Sequence, residues 1–159
     1  MLAEGLFNLF TITPSITVLV GGSIHHGSLR KNYTLPAVRM SAVTTTPIVA
    51  NTGTSDLMYQ RWQFDAFAKN YLDSHRLKDA MKSLLNDYSG TLAEGTVVYS
   101  TILKMELDSP LEEGKGGYVF RCVLDYEFAF DQTGIPIVTP IPEVQLDIDD
   151  TGQPQFDNP

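Results

Sequence analysis

The residues that could do chemistry are few and scattered. His25 and His26 are the best metal-ligand pair by residue type, and His75 is the third histidine. Neighbours on a regular strand point to opposite faces, so the pair cannot easily reach one ion. No Cys or carboxylate stands beside it at a ligand spacing either, and a surface or loop role fits better. Gly21-Gly22-Ser23 and Gly114-Lys115-Gly116-Gly117 share only their glycine content with phosphate-cradling loops. No Ser or Thr follows Lys115, and no strand–loop–helix order surrounds it. Glu112-Glu113 and Asp149-Asp150 are paired carboxylates, the raw material of acid–base catalysis. That chemistry needs a concave, partly desolvated site that drives two pKa values apart, and both pairs fall in segments that read as exposed loop or arm. Cys122, the only cysteine, shares its register with Phe120 and Leu124 and reads as a small core residue. A nucleophilic thiol would need a basic partner and exposure. The residues offer no catalytic set, no metal set and no cofactor motif, so the chain is expected not to be an enzyme.

The elements that must position these residues follow from hydrophobic period. Leu2, Leu6, Leu9 and Phe10 mark a short helix from about Leu2 to Phe10, and Pro14 suits the first position of a second, capped by Thr13 and ended by Gly21-Gly22. Ile24 to Leu29 reads as a short edge strand, and Pro36 opens a strand through Val43. Thr44 to Ser55, with Pro47 and Gly53, reads as a long hairpin loop. From Leu57 to Phe67, Trp62, Phe64 and Ala66 alternate with Arg61, Gln63 and Asp65, the pattern of a half-buried strand. The period then changes. Leu77, Ala80, Met81, Leu84, Leu85 and Tyr88 form one helical stripe, so a helix runs from about Leu72 to Asn86, with Gly90 as its left-handed stop. Val97 to Leu107 is a third strand with Val97, Tyr99, Leu103 and Met105 on one face, and Asp108 to Gly117 an acidic, glycine-rich loop. Tyr118 to Phe130 alternates most cleanly, with Arg121, Asp125 and Glu127 opposite its apolar face.

These elements predict an α+β fold: a mixed or antiparallel sheet of about four main strands packed against two to three helices. The long connection from second to third strand leaves a crossover open. Residues 1–130 form one domain, and residues 131–159 an extended, proline-rich, acidic arm. Of the net charge of −8, the arm contributes six acidic residues and no basic ones. A protein that grips nucleic acid by its phosphates shows a basic stripe, and none is visible. The N-terminus lacks the basic region of a signal peptide, and Ile12 to Gly22 is too short and interrupted to span a bilayer. No membrane partner is expected.

The same elements carry a family resemblance. Gln63-Phe64-Asp65-Ala66-Phe67-Ala68 and Tyr71, then Leu77, Asp79-Ala80-Met81, Leu84-Leu85 and Gly90-Thr91-Leu92 stand in a telling order. So do Leu35-Pro36-Ala37-Val38 upstream and Tyr118, Phe120-Arg121, Leu124-Asp125-Tyr126 and Phe128 downstream. Together they resemble the tail terminators of long-tailed bacteriophages, also called tail-completion or tail-to-head joining proteins. The resemblance spans roughly residues 2 to 130. It implies a structural virion protein, a homo-hexameric ring at the head-proximal end of the tail that joins tail tube protein to the head–neck connector or head-completion protein. It implies assembly in the host bacterial cytoplasm and a place in the virion's tail or neck region, with DNA passing through the lumen unbound. Another neck or head-completion ring protein, or a small ligand-binding α+β domain, is the alternative.

For a ring, Arg61 and Asp65 on one strand and Arg121, Asp125 and Glu127 on another are candidates to meet a neighbouring subunit. Glu106, Asp108, Glu112 and Glu113 are candidates to line an acidic lumen. The resemblance fades near Phe130, yet Ile137, Val138, Ile141, Val144, Leu146 and Ile148 make the arm more apolar than a linker needs to be. The arm is expected to cross onto a neighbouring subunit or the neck protein, with Val144 to Ile148 pairing at a sheet edge.

Overall fold

The computed structural model of the chain describes residues 1–50, 53–114 and 117–131. Helices α1 (Leu2–Ile12) and α2 (Pro14–Val20) lead into β1 (Ile24–His26), β2 (Ala37–Ala50) and β3 (Gly53–Ala68). Helix α3 (Tyr71–Leu85) follows, then β4 (Gly90–Thr91), β5 (Val97–Gly114) and β6 (Gly117–Asp131). The strands form one mixed sheet in the order β1-β2-β3-β6-β5-β4, with β1 parallel to β2 and every other pair antiparallel. This is the expected α+β architecture, with the short edge strand expected from Ile24 present as β1 and one further short edge strand, β4.

All three helices bury their apolar stripes on the same sheet face. Leu2, Leu6 and Phe10 of α1, Ile16 and Val20 of α2, and Leu77, Met81 and Leu85 of α3 meet Trp62, Phe64, Ala66, Cys122, Leu124, Tyr126 and Phe128. Phe10 stacks on Phe64 with ring centroids 5.3 Å apart. Each large side chain removed from water here contributes about 1.5–3 kcal/mol, which anchors the helices to the sheet. No single helix among the described residues is long and apolar enough to cross a membrane. The bent α1–α2 pair is apolar enough together, but its stripe is the one buried in this core.

Helix ends depart from the sequence expectation in instructive ways. Thr13 precedes Pro14 but does not cap α2 with its side chain; its hydroxyl donates instead to the Leu9 carbonyl. Gly21 does end α2 in the left-handed conformation. Helix α3 is capped by Asn70, whose side chain accepts from the Asp73 amide at 2.8 Å. At its other end the left-handed residue is Asp87, while Gly90 belongs to β4. The hydroxyl of buried Thr101 donates to the Leu85 carbonyl and accepts from the Tyr88 amide, so a β5 residue closes the helix. Tyr88 therefore packs on the core from beyond the last helical turn.

The two segments expected as loops are strands in their outer parts. Thr44 to Pro47 pair with Arg61 to Met58, and Glu112 and Glu113 pair with Val119 and Tyr118. Both hairpins run on past the core because cross-strand pairing, helped in the first by the β-branched Thr44, Thr45 and Thr46, overrides the poor strand preference of proline and glycine. The face assigned to β5 also changes. Irregularities between Val98 and Ser100 and between Leu103 and Met105 each shift the side-chain parity. Val98, Thr101 and Leu103 consequently face the core, while Tyr99 and Met105 are exposed.

Candidate interaction surface

The sheet face turned away from the helices carries an unusual concentration of charge beside exposed apolar residues. At its centre lies Asp65 on β3, 0% exposed. Its register partners are Arg39 on β2 and Val123 on β6. Arg39 donates to Oδ2 from Nε at 2.8 Å and sits on it with Nη2 at 2.7 Å. Arg121 reaches Oδ1 the same way, at 2.9 and 2.7 Å. Gln63 donates to both oxygens at 3.0 and 3.2 Å. Both guanidiniums also stand over the ring of Phe67, with Cζ 5.6 and 5.8 Å from its centroid. Two arginines thus close over one aromatic ring and one carboxylate. A buried carboxylate is tolerable only when its lone pairs are used up in this manner.

A second pair lies one step along. Arg61 donates to Asp125, itself 3% exposed, through Nε and Nη2. The Asp125 hydrogen bond and charge raise the Arg61 pKa above its ordinary value. Lys104 holds Glu127 at 2.9 Å. The structure therefore brings Arg61, Asp65, Arg121, Asp125 and Glu127 onto one face and pairs them inside the chain. Sequence reasoning missed Arg39, Gln63, Phe67 and Lys104. The available signal was that Arg39 sits between Val38 and Met40, both fully buried, and so belongs to the opposite face.

Around these ion pairs the face is apolar. Ile102, Met105 and Leu107 of β5 are 51%, 42% and 50% exposed, and Tyr59 of β3 is 39% exposed. They stand opposite Glu127, Asp125, Val123 and Ala129 of β6, on the side away from the helices. Clustered exposed apolar side chains ringed by charge mark binding surfaces. This face offers paired charges beside exposed apolar side chains.

Glu106 and Asp108 lie on the other face and are tied to α3. Glu106 accepts from Lys78 at 2.7 Å and from Lys82 at 2.5 Å. The hydrogen bonds from Lys78 and then Lys82 outweigh its partial burial and bring its pKa down to about 2. Burial alone would lower the Lys78 pKa, but Glu106 and Asp108 raise it on balance. Asp108 lies 3.3 Å from His75 Nε2 and 4.0 Å from Lys78. The His75 nitrogen is nevertheless buried without a hydrogen bond, so that contact is proximity without alignment. Glu112 and Glu113 lie on the outer part of β5, opposite Val119 and Tyr118 of β6. Ile137, Val138, Ile141, Val144, Leu146 and Ile148 lie outside the described residues.

Two places could receive something small. His75, Asp108 and Cys122 bring possible ligand atoms within 4.8 Å of one another. The Lys78 ammonium beside Asp108 already supplies positive charge there, and burial pushes the Cys122 thiol pKa up, against the thiolate a metal needs. The cluster reads as an ion pair packed on a core thiol. A groove of about 440 Å³ lies between α1 and β1, lined by residues including Glu4, Phe7, His25, His26 and Arg30. His25 accepts from or donates to Ser23 Oγ at 3.1 Å, and burial followed by the nearby Arg30 charge lowers its pKa. His26 packs near the Trp62 ring. The histidines have different partners, and no described carboxylate or thiol completes a ligand set with them.

No family model and no curated protein matches this sequence. Among solved structures, a chain of the virion of a native gene transfer agent particle is similar, with a TM-score of 0.62 and 10% sequence identity. The match covers 82% of this chain and 94% of that one. At such low identity the likeness concerns the backbone, and it extends over nearly the whole of the other chain: this protein has the fold of a component of that virion.

Proposed function

We propose that this chain is a structural subunit of a phage-like virion, a tail terminator that forms a hexameric ring at the head-proximal end of a long tail. It joins the tail tube to the neck connector and performs no catalysis. The observation that carries the reading is the shared fold with a chain of a gene transfer agent virion, covering 94% of that chain. The ordered resemblance along residues 2 to 130 supports tail completion as the specific role. The exposed apolar and charged sheet face supplies a surface for contacts whose rotation closes a ring. Glu112 and Glu113 remain the candidates for an acidic lumen, whereas Glu106 and Asp108 are engaged by α3. A lumen that does not bind phosphates lets a genome pass.

The deciding experiment labels the protein in purified particles and images them. Label at the head-proximal end of the tail, in six copies, is the expected result. Label elsewhere in the particle, or a two-fold dimer there, overturns the tail-terminator reading. The groove beside His25 favours a second reading as a small-ligand domain. That reading expects a monomer absent from particles.

A further inference from the structure

Strand β5 has β6 on one side; on its other side, among the described residues, β4 pairs with it at Val97 and Val98. From Tyr99 to Gly114 no described strand pairs with that side. Sheet edges of this length are normally blunted, because unpaired N–H and C=O groups recruit further strands. Irregularities interrupt parts of this edge, but from Met105 to Ser109 the ladder with β6 is unbroken, from Met105↔Asp125 to Ser109↔Arg121. Within that run Met105 and Leu107 expose apolar side chains on the face away from the helices. Among the described residues, an unpaired edge and an exposed apolar pair coincide there.

We propose that residues Glu143 to Asp149 of a neighbouring copy add to this edge as a seventh strand. The segment's central part, Val144 to Ile148, has the five-residue length of Met105 to Ser109 and the period of a strand. Val144, Leu146 and Ile148 alternate with Gln145 and Asp147, so a paired strand places all three apolar residues on one face, beside Met105 and Leu107. Added backbone hydrogen bonds give the affinity, and the alternate side chains give the register. The route favours a neighbour. Asp131 is paired on both sides, with Leu57 of β3 and Val97 of β5. Met105 to Ser109 pair with Asp125 to Arg121, six to ten residues back along β6 from Asp131. Pro136, Pro140 and Pro142 stiffen the next stretch. Extended at about 3 Å per residue, residues 132–142 can span on the order of 30 Å, enough to leave the parent sheet for a neighbouring copy.

The inference deepens the ring reading but is tested separately from it. Full-length Leu107→Cys and Leu146→Cys proteins are prepared singly, mixed and oxidised, with Val144→Cys and Ile148→Cys as register controls. Buried Cys122 stays in place. Disulfide-linked dimers in the mixture, absent from either protein alone and lost when the register is shifted, are the expected result. Absence of dimers in every mixture overturns the proposal. So does an intrachain bond in the double variant without dimers in the mixture, which would seat the segment on its own β5. Native mass then separates the two ideas: linked pairs that close as two-chain exchanges keep the edge and discard the ring.

Discussion

Arg121 on β6 grips Oδ1 of Asp65 on β3, although the two residues are not register partners; Arg121 stands opposite Phe67, two residues along. The diagonal leaves the Phe67 ring beneath both Arg121 and Arg39, so one carboxylate binds three neighbouring strands together. Asp65→Ala should destabilise the fold by about 3 kcal/mol, because two guanidiniums lose their shared partner in a desolvated place. Arg121→Ala should cost less, since Arg39 keeps its oxygen. Urea unfolding of both variants measures the order; equal losses would show that packing on Phe67, and not charge, dominates.

The lysine–carboxylate contact on α3 predicts an acid response. The Glu106 pKa is lowered from 4.5 to about 2 in the folded protein. A depressed carboxylate stabilises the fold above its ordinary pKa, and the contribution is lost as pH falls through the folded value. Stability should therefore drop between pH 4.5 and about 2. Glu106→Gln should flatten that part of the curve while lowering stability at neutral pH. Chemical unfolding across that pH range reads the difference.

Gly5 reverses a usual expectation. Alanine in a helix interior is favoured over glycine by about 1 kcal/mol. A Cβ at this position of α1, however, would lie 2.7 Å from Leu92 Cδ1 and 2.8 Å from Leu92 Cβ. Gly5→Ala should be destabilising by about 1–3 kcal/mol, because α1 must back away from the turn after β4. Thermal unfolding showing a gain in stability would refute the close approach.

Cys122 should behave as core. Burial raises its thiol pKa, and the residue is 2% exposed. A disulfide reagent at neutral pH should label it only after unfolding, at a rate that follows denaturant. Rapid labelling of the native protein would show that α3, whose Ser74 covers the thiol, lifts from β6.

Much of the architecture was legible in the chain, and the failures have identifiable causes. The α1, α3 and β6 patterns are strong because each element buries a single stripe or face, as Leu77, Met81 and Leu85 do on α3. Strand β5 misled because two irregularities invert its parity, and irregularities depend on the partner strand. The hairpin ends misled because their strand state comes from pairing across the sheet. For the interaction face, the sequence placed Arg61 with Asp65 and Arg121 with Asp125. It could not place β3 beside β6, which is what makes one cluster of two. Lys78 and Lys82 sit four apart on α3, a visible spacing, but their common partner Glu106 lies on another element.

The two long hairpins leave the sheet at opposite ends. The β2–β3 hairpin closes at Ala50 and Gly53, past the end of β6 at Asp131. The β5–β6 hairpin closes at Gly114 and Gly117, past the end of β3 at Ala68. A pull applied between the two tips would run along β3 one way and β6 the other. Antiparallel ladder bonds lie across the strands, so every pair from Leu57↔Asp131 to Ala68↔Phe120 would be sheared at once. A sheet so connected resists tension along its strands as a unit, whereas opening from an edge would break the same bonds one at a time.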